Sequence, residues 1–177
     1  PLHIIATDLN SGRKIIFTEG DLTTVLRATI AVPLLFAPVD IDSFSLVDGG
    51  IVSNIPVKET FDTGVDHVIA VDASSPIRRR DQIQFAWEVA DQVTTIMQQS
   101  TDDEQLALAD LVIGFDDVHV TNTDFSVLDS LYTLGYQRTL ERIDDIKAML
   151  TAGVEPTKTV GLDSILIDEN YRSLVQH

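Results

Sequence analysis

The stretch HVIAVD, residues 67–72, constrains the fold more than any other part of the chain. Val68, Ile69, Ala70 and Val71 follow one another with no polar residue between them, so a strand built from them is apolar on both faces. Such a strand belongs in a parallel sheet covered by helices on its two sides. The rest of the chain offers both layers. LHIIAT and RKIIFT, separated by DLNSG, read as two strands joined by a turn. Asp21 can cap a helix on which Leu22, Val25, Leu26 and Thr29 or Ile30 recur at helical spacing, and that helix must stop before Pro33. AVPLLFAPV, residues 31–39, reads as a buried, proline-punctuated connection into the strand SFSLV and a DGG turn. Pro56 starts a short helix that Gly64 can end. Residues 83–98 set Ala86, Val89, Ala90, Val93 and Met97 on one face, widened by Trp87 and Ile96, which predicts a long packed helix with Trp87 in the core. LVIGF at 111–115 predicts another strand, and residues 126–150 a long final helix with a weak point at Gly135. Strands alternating with helices give an α/β sandwich.

Composition narrows the function. With 177 residues, 44% of them hydrophobic, the chain can bury one sizeable core. A formal net charge of -16 disfavours nucleic acid, whose affinity for proteins comes largely from Lys and Arg neutralising phosphates. It also argues against simple electrostatic adhesion to anionic membranes. The absence of Cys removes disulfides, thiolate nucleophiles and thiolate ligands. His3, His67, His119 and His177 are scattered without zinc-site spacing, so neither a metal nor a cofactor is expected. The acidic clusters at Asp102-Asp103-Glu104, Asp116-Asp117 and Asp144-Asp145 lack the pattern of a calcium loop and read as surface charge. Arg78, Arg79 and Arg80 read as a solvated loop, with phosphate binding the sharper alternative. No apolar stretch is long enough to span a bilayer. The chain begins at Pro1 rather than Met, so any export signal is expected upstream and the compartment stays open.

The segment VDGGIVSNIPV, residues 47–57, holds the candidate chemistry. Asp48 closes an apolar strand and opens a glycine turn; taken alone it is either a turn former or a carboxylate held for catalysis. Asp8, beside its own turn, reads as a turn former. An ordered series decides between the readings of Asp48. ATDLNSG (6–12), RATIAVPLLFAPV (27–39), VDGGIVSNIPV (47–57) and HVIAVDAS (67–74) together resemble the patatin-like phospholipases and related lipid acyl hydrolases. The resemblance is close over about the first 75 residues and looser to about 150.

The resemblance implies a layered α/β sandwich around a central mixed, largely parallel sheet, incomplete in this chain. It implies a Ser-Asp dyad in which Asp48 is the catalytic base, with Gly49, Gly50 and Asn54 forming the active-site turn and Asn54 tying the loop to backbone. It further implies a lipid or acyl-ester substrate, transient membrane contact, and no cofactor. No serine here has glycine two residues before it, so the G-x-S-x-G nucleophile and its glycine-rich oxyanion loop are expected in a missing N-terminal portion of the same domain. Thr29 stands where the family usually has Ser, and Leu34 where it usually has Gly. A noncatalytic binding or assembly module on the same fold is the alternative. Residues 1–150 would then be the C-terminal portion of the acyl hydrolase domain and 151–161 a linker. Residues 162–177 would be a terminal strand and helix or the start of a further module. Self-association of the chain is expected from surface that the missing portion would cover.

Overall fold

β-Branched residues on either side of the DLNSG turn produce a hairpin of β1 (Ile4–Asp8) and β2 (Lys14–Phe17), with Ile4 opposite Phe17 and Thr7 opposite Lys14. The structure, a computed structural model, describes residues 1–74, 76–115, 117–118, 120 and 124–152. The linker from residue 153 onward, the terminal module at 162–177, Asp116, His119 and His177 lie outside the described residues. Asp8 shapes the hairpin turn as its position predicts. Its carboxylate accepts from the Ser11 hydroxyl at 2.5 Å and amide at 3.2 Å, and from the Ser45 amide at 3.3 Å. The Ser11 hydroxyl, helped by these amides and that of Asn10, outweighs desolvation and holds the carboxyl below its ordinary range.

Helix α1 (Leu22–Thr29) starts where Asp21 accepts from the Thr24 amide at 2.8 Å. It lays Val25 and Ala28 inward, and Ala28 packs with Ala6 of β1 and with Leu46. Leu46 belongs to β4 (Phe44–Asp48), which forms a second hairpin with β3 (Val39–Ile41). The four strands lie in the order β2-β1-β4-β3, every neighbouring pair antiparallel. After α2 (Val57–Phe61), β5 (Ile69–Asp72) pairs in parallel with β6 (Leu111–Gly114), the crossover between them carrying α3 (Ala86–Leu106). A second core of Ile55, Val57, Val68 and Ala70, flanked by Phe61, Leu106 and Val112, covers one face of this pair. Helices α4 (Leu128–Glu141) and α5 (Ile143–Thr151) follow.

The α/β class is present, but four expectations change. In place of one mixed, largely parallel sheet, the described residues form a four-stranded antiparallel sheet and a two-stranded parallel one. Among the described residues HVIAVD is covered on one face: Ala70 is buried, whereas Ile69 and Val71 point away from the core and Val71 is 58% exposed. The 31–39 connection turns outward, Leu35 and Phe36 each donating an amide hydrogen bond to the Val32 carbonyl, so Leu34, Leu35 and Phe36 are exposed rather than buried. The final helix breaks at Arg142, not at Gly135. Arg138 and Arg142 reach back to the Gly114 and Val112 carbonyls of β6 at 2.6 and 3.3 Å, and Asp144 and Asp145 favour a fresh helix start just after the break.

Candidate active site

Strand β4, an inner strand of the antiparallel sheet, ends at Asp48 and holds it by its main chain. Its amide donates to the Ala31 carbonyl at 3.1 Å and its carbonyl accepts from the Thr7 hydroxyl at 2.8 Å, while Ala6 sits opposite in the ladder. The chain then makes a single 3-10 turn over Gly49–Ile51, and the Gly50 amide donates to Asp48 Oδ1 at 2.8 Å. Gly49 is required here: a Cβ would stand 2.1 Å from the Ile5 carbonyl oxygen and 2.6 Å from its carbon. At Gly50 a Cβ would stand 3.0 Å from Asn54 Oδ1 and 3.1 Å from Asp48 Oδ1, so the turn closes tightly around the carboxylate.

Asp48 is half-buried beside a cavity of about 280 Å³. Leu34 and Leu35 line one part of it, and Trp87, Thr94 and Asp102 of α3 another. Burial pushes the Asp48 carboxyl up, only partly opposed by the Gly50 amide. Among the described residues Oδ2 accepts no hydrogen bond. A carboxylate fixed through one oxygen, free at the other and partly desolvated can accept a proton from a hydroxyl brought within reach.

Three of the four residues expected in the turn, Asp48, Gly49 and Gly50, follow one another through this bend, and Asn54 folds back onto it. Asn54 departs from its expected role. Its amide nitrogen donates to side chains, Asp102 Oδ2 at 2.8 Å and Ser74 Oγ at 3.2 Å, rather than tying the loop to backbone. Asp102 is likewise no surface charge: it is 9% exposed. Burial raises its carboxyl pKa, opposed by the Asn54 amide and reinforced by the charges of Asp72 and Asp103. Gln98 donates through Nε2 to the Gly50 carbonyl. Trp87 is half-buried in the cavity wall instead of the core. Leu34 adopts φ 72°, the left-handed conformation that glycine takes without strain, at the position where the sequence departs from the family pattern.

Sequence reasoning missed Gln98 and Asp102, although a signal existed. Thr94, Gln98 and Asp102 recur every four residues, a polar stripe on α3 beside the apolar one that attracted attention. Arg78 does not sit in a solvated loop. It pairs with Asp91, and its main chain exchanges hydrogen bonds with the Gln92 amide group at 3.0 and 3.1 Å. Among the described residues no group of three His, Asp or Glu could hold a metal, and no helix is long and apolar enough to cross a membrane.

Fold and site define a class, an α/β protein that presents one carboxylate from a strand end into a cavity. Residues 4–61, about a third of the chain, match the family described as patatin-like phospholipase. Over 71 residues it is 38% identical to the uncharacterized NTE family protein Mb1092c of Mycobacterium bovis, a match covering 40% of this chain and 20% of that protein. Over 86 residues it is 33% identical to the lysophospholipase NTE1 of Yarrowia lipolytica, covering 46% of this chain and 6% of that protein. The chain thus corresponds to a fifth or less of the length of these curated relatives.

Proposed function

We propose that this chain supplies the base, Asp48, of a serine lipid acyl hydrolase acting on phospholipid or lysophospholipid esters. The reading is carried by the carboxylate itself, held at a strand end by Gly50, partly desolvated, with Oδ2 accepting no hydrogen bond among the described residues, beside a cavity lined by apolar and polar side chains alike. The match of residues 4–61 to the patatin-like phospholipase family and the similarity to a protein named lysophospholipase support it. In this mechanism the serine Oγ–H proton passes to Asp48 as Oγ bonds to the ester carbonyl carbon. Collapse of the tetrahedral adduct breaks the ester C–O bond, and the departing alkoxide takes the proton back from Asp48. Water, deprotonated by Asp48 in turn, releases the fatty acid and restores the serine. The serine and the oxyanion donors belong to the part of the protein outside these 177 residues, and the isolated chain is inactive.

The test uses the full-length gene product on lysophospholipid and p-nitrophenyl esters. Asp48→Asn should lower kcat by about 10²–10⁴-fold, the usual contribution of a positioned general base. Unchanged turnover in that variant would remove Asp48 as the base, whereas no esterase activity in the wild-type protein would support a noncatalytic binding module.

A further inference from the structure

We infer that Gln98 and Asp102 of α3 are positioning residues for Asp48, clamping through Gly50 and Asn54 the turn that aims its carboxylate into the cavity; this rests on the reading of Asp48 as base. The two side chains stand four residues apart on one helix and grip the turn at two points. Gln98 donates to the Gly50 carbonyl, fixing residue 50 from its C-terminal side, while the Gly50 amide donates to Asp48 Oδ1 at 2.8 Å. Asp102 Oδ2 accepts from Asn54 Nδ2 at 2.8 Å, and Asn54 Oδ1 in turn stands 3.0 Å from where a Gly50 Cβ would be. The Ser74 hydroxyl, 3.2 Å from the same nitrogen, ties the clamp to the loop after β5.

Stability alone does not account for Asp102. A buried carboxylate without a cationic partner is costly, and among the described residues Asp102 makes no ion pair. The same helix leaves Val93 and Met97 exposed, Met97 by 73%, while it buries Gln92 and Asp102. A helix that turns polar groups inward and apolar groups outward violates ordinary patterning, and such violations gather where a site must be held in shape. The titratable groups facing the cavity are Asp48 from β4 and Asp91 and Asp102 from α3, with Asp91 paired to Arg78 and Asp72 and Asp103 acting on Asp102 through charge.

The experiment measures kcat, KM and the pH dependence of kcat/KM for the full-length protein on a p-nitrophenyl ester. Its variants are Asp102→Ala, Asp102→Asn and Gln98→Ala, with the exposed neighbour Glu104→Gln as control. Asp102→Ala should lower kcat about 10- to 100-fold with KM nearly unchanged, since a small misplacement of a catalytic group costs rate rather than binding. Its acid limb should move down toward the ordinary carboxylate range, because a loosened turn lets water reach Asp48. Asp102→Asn keeps an oxygen that can accept from Asn54 and should restore most of the rate and the acid limb. Gln98→Ala should shift both in the same direction as Asp102→Ala, and Glu104→Gln neither. The inference is overturned if Asp102→Ala and Gln98→Ala lower only thermal stability, or if Asp102→Asn moves the limb as far as Asp102→Ala does. Full turnover in Asp48→Asn would remove the base reading and this inference together. Loss there with intact Asp102 and Gln98 variants would remove this inference alone.

Discussion

Two residues with opposite backbone demands frame the site. Gly49 has no room for a methyl group because β1 runs against it, so Gly49→Ala must push the turn away from Ile5. Its cost in denaturant melts should exceed the usual range of about 0.5–3 kcal/mol for a single substitution. Leu34 is the reverse case. It holds φ 72° with a 72% exposed side chain, so Leu34→Gly relieves roughly 1–2 kcal/mol of left-handed strain and loses little packing. The freer unfolded chain offsets part of that gain, and the midpoint should stay level or rise. A clear fall would contradict the strain. The two carboxyls also differ in sign. Burial raises the Asp48 carboxyl above its ordinary value of 3.8, so its stabilising contribution is complete below that value and lost as pH rises through the raised one. Asp8, lowered, contributes above 3.8 and loses its contribution as pH falls through its folded value. Asp48→Asn should therefore gain stability over the wild type at neutral pH, with the gain vanishing in acid; urea melts at both pH values read it. The turn at Asp48 was legible in the sequence because a strand end followed by two glycines fixes it locally. Asp102 was not, because three acidic residues in a row reveal nothing about which one a tertiary contact will bury.

Elements bounded by local chemistry were legible for the same reason. The β1–β2 turn follows from Asp8 and Ser11, and α1 begins at its Asp21 cap. The short strand β3, Val39–Ile41, escaped because its pattern is hidden in a proline-punctuated stretch and only pairing with β4 defines it. Helix α3 shows the limit of periodicity: the apolar stripe exists, but the polar stripe faces the site. In α4 the sequence offered Gly135 as the weak point, whereas the helix runs through it and stops where arginines reach for β6. A Cβ at Gly135 would meet nothing within 4 Å. Gly135→Ala should consequently raise stability by about 0.5–1 kcal/mol, the usual gain for removing a helix-interior glycine. A loss in thermal melts would mean that α4 packs more closely at this point than its open surroundings indicate.

On the scale of the whole molecule, the site stands at the junction of the two sheets. Asp48 comes from the antiparallel one, and the Asn54 amide reaches Ser74 just beyond the parallel one. The fold class was legible from alternating elements, but the division into two sheets was not, since strand pairing depends on contacts distant in sequence. Apolar surface remains on the same side of the ledger: Val89, Val93, Ile96 and Met97 on α3, and Ile69 and Val71 on β5, are exposed. Apolar burial favours association, while a net charge of -16 opposes it through mutual repulsion. Salt separates the two, because the screening length shrinks from about 30 Å at 0.01 M to about 8 Å at 0.15 M. The 177-residue chain should therefore self-associate with rising concentration, and more strongly at the higher salt. Sedimentation velocity would show an average sedimentation coefficient that climbs along both axes, with Val93→Ser and Met97→Ser together flattening the climb. A coefficient independent of concentration at both salt levels would mean that these stripes do not drive contact between copies. Association that weakens as salt is added would assign it to charge instead.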